Sequence, residues 1–152
     1  YIPNEEEKIQ KETKKILGEI RNGSINPPLF GVKASVNRVP VLDGHLIHIF
    51  LETCEEVETE ELIQALHDFP SSEIKGMNLP TAPKKPIIVK YEPERPQPRL
   101  DRLAGNGMGV TVGRIDAENK TIRLVALGHN TIRGAAGTGI LIAETMYRKG
   151  II

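Results

Sequence analysis

The chain has 152 residues, with 20 Lys+Arg against 20 Asp+Glu, so its formal net charge is zero; 39% of residues are apolar and 26% charged. This is about one domain of ordinary soluble composition, and the balanced charge argues against a general nucleic-acid binder, which carries a basic excess. No apolar run approaches the ~20 residues that span a bilayer, so no membrane partner is expected, and a single cysteine, Cys54, excludes an internal disulfide framework and makes a cytoplasmic setting the default.

In chain order, the opening residues Tyr1 to Glu7 lack the basic start and apolar core of a secretory leader. There is no initiator methionine, as in a piece cut from a longer protein. Asn4 suits a helix N-cap, and Glu5, Glu6 and Glu7 suit a first turn, where the helix dipole favours negative charge. A helix is expected from Glu5 to Leu17, with Ile9, Thr13, Ile16 and Leu17 on one face. Gly18, Asn22-Gly23 and Pro27-Pro28 close it. Residues 31–37, GVKASVN, alternate as a half-buried strand does, and His45–Glu52 alternates clearly. Thr59 is the expected cap of a second helix, EELIQALHDF, ended by Pro70.

A long loop with Pro80, Pro83 and Pro86 follows, then a short strand, IIVKY, then a second Pro-, Gly- and charge-rich loop. MGVTVGRI and TIRLVALG read as two strands of a hairpin joined by DAENK. The last segment, NTIRGAAGTGILIAETMYRKG, reads as a helix with small residues in its first turns, stopped by Gly150. The order of elements predicts an α+β domain with a mostly antiparallel sheet covered by helices on one face. The two loops exceed what compact domains usually carry, which points to function or to packing against something outside the chain.

Few constellations suggest chemistry. His45 and His48, three apart on a strand, face opposite sides and cannot share an ion, so no metal is expected. Cys54 sits among acidic residues in ETCEEVE, which raise a thiol pKa and disfavour a nucleophile. GNGMGVTVG runs into a strand instead of a helix, so the dinucleotide mechanism fails there; GAAGTG lies between a strand and a helix but lacks the full fingerprint, and tight packing explains it better than a phosphate loop does.

The stretch NRVPVLDGHLIHIF is more informative. Were Asp43-Gly44 a two-residue hairpin turn, Leu42 would pair with His45, and Arg38 would lie ~13 Å from His45 at about 3.3 Å per residue. Pro40 breaks such a ladder, so VPVLDG can equally be an irregular loop that brings them closer. An arginine binds a carboxylate bidentately and a histidine moves protons near neutral pH. An exposed arginine and a strand-end histidine remain the plain alternative.

The segments YIPNEEEKIQKETKKIL, RVPVLDGH, RPQPRLDR, GNGMGVTVGRI and LGHNTIRGAAG, in this order, resemble the C-terminal half of the archaeal and fungal type of aspartate-semialdehyde dehydrogenase. The resemblance implies a glyceraldehyde-3-phosphate-dehydrogenase-like C-terminal domain. It implies the reversible NADP- and phosphate-dependent conversion of L-aspartate 4-semialdehyde to aspartyl phosphate, which feeds lysine, threonine and methionine synthesis. Carried over by motif, His45 would be the acid/base, Arg38 the clamp on the substrate carboxylate, and Glu5 and Lys8 contacts to substrate and phosphate. Asn130, Gly134 and Ala135 would border the nicotinamide.

Residues 1–128 would then form the substrate-binding and dimerisation domain, incomplete at its start. Residues 129–152 would belong with a dinucleotide-binding Rossmann domain, on which the last helix packs. That domain and the catalytic cysteine of the family would precede Tyr1, so the 152 residues alone are expected to be inactive. A homo-oligomer, dimer or tetramer, through the sheet is implied. Archaeal malonyl-CoA reductase, of the same architecture, is one alternative; a non-catalytic dimerisation or assembly module derived from the enzyme is another.

Overall fold

The computed structural model describes residues 1–70 and 74–152 in full and the backbone alone at 72 and 73. The chain divides into two compact units, Tyr1–Pro40 and Val41–Ile152.

The first unit opens with α1 (Glu5–Ile16), whose acidic first turn and Lys14 and Lys15 in the last turn both complement the helix dipole. Asn4 occupies the cap position but in a left-handed conformation, φ 65°, and its side chain makes no capping bond. The expected side-chain cap is therefore absent: the backbone turns into the helix by its own dihedral. After Gly18 come two short strands the sequence reading did not separate, β1 (Glu19–Arg21) and β2 (Ser24–Asn26), paired antiparallel. Asn22 and Gly23 join them with φ of 52° and 74°, the double left-handed geometry of a type I′ turn. Residues 31–37 keep the expected alternation, with Val32, Ala34 and Val36 half-buried, but form no strand, because no ladder partner lies beside them among the described residues. The Val36 N–H instead donates to the Glu6 carboxylate at 2.9 Å.

The second unit is built on a four-stranded sheet. In chain order it contains β3 (His45–Glu52), α2 (Thr59–Asp68), α3 (Ser72–Gly76), β4 (Ile87–Lys90), α4 (Pro98–Asp101), β5 (Val110–Glu118) and β6 (Thr121–Gly128). A π-helical turn, Ile132–Ala136, and α5 (Gly137–Arg148) close it. The short α3 interrupts the long loop expected after Pro70; residue 71 of that loop lies outside the described residues.

The strand order is β3-β6-β5-β4. β3 with β6 and β6 with β5 are antiparallel, whereas β4 runs parallel to β5. A parallel neighbour needs a crossover of a dozen residues or more. Residues 91–109 are that crossover, which accounts for the length of the second proline-rich loop. Arg95 braces it: its guanidinium holds the buried Asp101 carboxylate, which also accepts the Gln97 N–H at 2.7 Å.

The β5–β6 hairpin is tighter than DAENK suggested. Both strands extend until only Asn119 and Lys120 turn, with Asn119 at φ 56°. A register shift between Gly113 and Asp116, with Arg114 at φ 52°, absorbs the irregularity inside β5.

The core forms where α2 lies on the sheet. Val112, Ile122 and Leu124 are buried, with Ile49, Leu62 and Leu66 packed against them. Leu62 and Leu66 are four apart, as one helix face requires. Thr59 does not cap α2 as expected; the helix starts from Glu58, whose N–H reaches the Glu61 carboxylate. Thr59 instead fastens α2 to the sheet, its hydroxyl accepting the Ala117 N–H at 2.9 Å and donating to the Ala117 carbonyl at 3.3 Å. At the far end, Gly150 stops α5 as expected: its N–H reaches the Tyr147 carbonyl and the Ile151 N–H reaches Met146, the two bonds of a Schellman motif. Among the described residues no helix is long and apolar enough to cross a membrane.

Candidate functional site

His45 is the first residue of β3, exposed, and lies opposite Gly128 of β6. The segment before it is irregular, without strand structure from residue 31 to 44, so Asp43-Gly44 is not a hairpin turn and Leu42 does not pair with His45. Proline at 40 removes a ladder donor, and β6 supplies the partner strand from much later in the chain.

A glycine conformation and two contacts set the turn that delivers His45. Gly44 has φ 103°, in the region glycine favours, and a Cβ there would lie 3.1 Å from Leu127 Cδ1. Its N–H donates to Asn130 Oδ1 at 3.2 Å. Asp43 lies 3.6 Å from Arg102 Nε, while Arg102 Nη1 donates to the Arg99 carbonyl at 3.0 Å. Arg102 Nε is buried without a well-formed hydrogen bond, so the pull on Asp43 is one of charge more than of directed bonding.

The end of β6 carries a histidine that the sequence reading left without a role. His129 is 5% exposed, and its Nδ1 accepts the N–H groups of Thr131 and Ile132, each at 3.3 Å. Two donors on Nδ1 require that nitrogen to be unprotonated, so the ring carries its proton on Nε2. His129 thereby ties down the start of the π-helical turn. Gly134 N–H donates to the His129 carbonyl at 2.9 Å and Ala136 N–H to the Thr131 carbonyl at 3.1 Å. The regular helix expected over this segment begins only at Gly137; ahead of it the wider turn presents Gly134 and Ala135 at the surface. Asn130, Gly134 and Ala135 therefore share one short stretch, and Asn130 reaches back to the residue before His45.

In the first unit, Glu5 and Lys8 meet as their spacing implied, Lys8 Nζ standing 3.5 Å from Glu5 Oε1 on the exposed side of α1. Arg38 lies near the end of that unit, exposed, in irregular chain. Cys54 is exposed in the loop after β3.

The electrostatics of the crossover are distinct. Burial pushes the Asp101 carboxyl up, but the hydrogen bond from Arg95, the Gln97 N–H and the charges of Arg95 and Lys90 outweigh it, leaving the group below its ordinary value. The Arg95 guanidinium is raised in turn, chiefly by its hydrogen bond to Asp101. The RPQPRLDR segment thus works as a brace, and its last residue, Arg102, carries that brace to Asp43. No periodicity signals this; only the clustering of charge and proline in a crossover hints at it.

A sequence model of the semialdehyde dehydrogenase dimerisation domain matches residues 1–133, which take in Glu5, Lys8, Arg38, His45 and Asn130. The chain is 46% identical over 153 residues to aspartate-semialdehyde dehydrogenase of Archaeoglobus fulgidus, an alignment covering 100% of this chain and 43% of that protein. It is 39% identical over 150 residues to malonyl CoA reductase (NADP) of Metallosphaera sedula, covering 95% of this chain and 42% of that one. Its fold matches the crystal structure of aspartate semialdehyde dehydrogenase with NADP from Candida albicans, with a TM-score of 0.86 at 42% identity, over 100% of this chain and 44% of that one. The α+β architecture expected from the sequence is the one found, and the chain spans less than half the length of these relatives.

Proposed function

Because the chain belongs to the semialdehyde dehydrogenase dimerisation-domain family, we propose that it is the C-terminal half of an NADP-dependent, phosphorylating aspartate-semialdehyde dehydrogenase. The observation that carries this reading is the 46% identity along the whole chain to an enzyme of that name. The proposal is that His45 moves the proton of an attacking thiol supplied by a part of the polypeptide outside these residues, and that Arg38 clamps the substrate's α-carboxylate. Glu5 and Lys8 contact substrate and phosphate. Their ion pair on one face of α1 supports a shared task, since a surface pair of this kind adds little stability.

Asn130, Gly134 and Ala135 suit a nicotinamide. The turn exposes residues with little or no side chain, leaving room for a flat ring, and the Asn130 amide nitrogen has no partner among the described residues. When bound, NADP supplies the hydride acceptor; these three residues orient it and leave the proton chemistry to His45. Residues 129–152 are proposed to pack on a dinucleotide-binding domain, which agrees with the exposure of Ile140, Ile142 and Tyr147 on α5. A homo-oligomer through the sheet agrees with the exposure of Leu46 and Phe50 on β3. We read the setting as cytoplasmic from the lone free cysteine.

The test is a phosphate-dependent NADP reduction assay of the full-length protein with aspartate semialdehyde. Activity is expected, with Arg38→Leu raising KM for the semialdehyde. No turnover, or Arg38→Leu kinetics equal to wild type, would sink the assignment. Malonyl-CoA reduction is the second reading, favoured by the 39% identity to an enzyme of that name. Turnover of malonyl-CoA in place of aspartyl phosphate would move the conclusion to it. A full-length protein with no cysteine upstream of this chain would favour a non-catalytic assembly module.

A further inference from the structure

A histidine that moves protons must be held where the reacting atoms are, yet His45 stands at the free start of an edge strand, directly after a glycine with φ 103°. Glycine gives the backbone that conformation without strain, but it holds nothing in place. The restraint has to come from elsewhere, and the chain supplies it from residues 128–130. Gly128 pairs with His45 across the ladder. Two residues on, Asn130 returns its side chain so that Oδ1 accepts the Gly44 N–H at 3.2 Å. Only an oxygen can meet that N–H, which fixes the amide orientation and turns Nδ2 away from Gly44. Between the two, buried His129 accepts the N–H groups of Thr131 and Ile132, so the stretch that grips Gly44 is itself anchored.

We propose that Asn130 is a positioning residue for His45, acting through the Gly44 N–H; this rests on the reading of His45 as the acid/base. The oxygen of the amide serves the histidine turn, and the nitrogen is left for the proposed nicotinamide contact. A turn released from Oδ1 leaves a backbone N–H unsatisfied and lets His45 swing, and misplacement of a reacting group by about 1 Å costs on the order of a hundredfold in rate.

The experiment uses the full-length enzyme and four variants: His45→Ala, Asn130→Ala, the double variant, and Asn130→Asp. Asn130→Ala is expected to lower kcat by roughly 10- to 100-fold while KM for the semialdehyde moves little. In the His45→Ala background the same change is expected to cost clearly less kcat than it does in the wild type, because the histidine it positions is already gone and only the proposed cofactor contact is left to lose. Asn130→Asp keeps the acceptor oxygen for Gly44 and loses the amide donor proposed to meet the cofactor, so it is expected to recover part of the kcat lost in Asn130→Ala and to raise KM for NADP. Should the alanine variant fail to fold, Asn130→Ser, whose hydroxyl ends short of Gly44, takes its place with the same expectations. Additive losses in the double variant, or an Asn130→Asp as slow as Asn130→Ala, would overturn the proposal and assign the residue to the cofactor alone. A His45→Ala enzyme as fast as wild type would remove the reading beneath it, and the proposal with it.

Discussion

The centre of the sheet and its margin are built on different terms. At the centre, Val112, Ile122, Leu124 and Leu127 are almost wholly buried, and α2 is tied down by the hydroxyl of Thr59. At the margin, β3 leaves Phe50 69% exposed, and α5 leaves Tyr147 71% exposed. The centre makes its own contacts from the consecutive strands β5 and β6 and from α2 laid across them. The margin displays largely exposed apolar side chains, and the residues proposed for catalysis in the second unit sit there. On the proposed assignment, stability and function are carried by different parts of one sheet, and substitutions should separate them.

The largest effect is expected at the margin. His45→Ala in the full-length protein should lower kcat by about 10²- to 10⁴-fold, the usual contribution of a general acid/base, while leaving the denaturant midpoint unchanged. A shifted midpoint with unaltered kcat would reverse the division. At the centre, Leu124→Ala should cost about 2–5 kcal/mol in urea unfolding, since the side chain is 7% exposed and its neighbours belong to a packed sheet. Phe50→Glu should shift sedimentation toward the monomer with the circular dichroism spectrum retained, because the exposed ring is proposed to serve a second copy. An unchanged oligomer would move the interface off β3.

The smallest effect is one of pH. The Asp101 carboxyl is held below its ordinary value in the fold, so its charge stabilises the protein above about pH 5. That contribution fades as pH falls through the folded-state value. Asp101→Asn should therefore lower Tm at pH 7 and converge on wild type in acid; a constant difference across pH would show that the Arg95 pair contributes shape alone.

Much of this was legible in the sequence, and the gaps have physical causes. The β5–β6 pair announced itself because both strands alternate and a short polar turn joins them. α1 was legible because its charges follow the dipole. Residues 31–37 alternate just as cleanly and form no strand, since alternation reports a half-buried chain and not a ladder partner. The parallel pairing of β4 could not be read from its four residues; only the long crossover signals it. The β1–β2 hairpin was hidden by three-residue strands, although Asn22-Gly23 is the dipeptide such turns favour. At the candidate site, motif resemblance supplied His45, Arg38 and Asn130. His129, Asp43 and Arg102 lie within the resembling motifs but drew no role from them: that of His129 depends on its burial and on the backbone of the next residues, and that of the Asp43–Arg102 pair on contact between segments far apart in the chain.

Among the described residues, the strand that carries His45 finds its only ladder partner across residues 53–120, whereas β5 and β6 meet across two. Closing a short hairpin costs far less chain entropy than closing so long an excursion. The expected order of assembly follows: β5 and β6 zip first, and β3 docks onto the edge of that hairpin. The histidine strand should also leave before that hairpin opens, so in the full-length protein loss of the proposed activity should precede loss of the hairpin on warming.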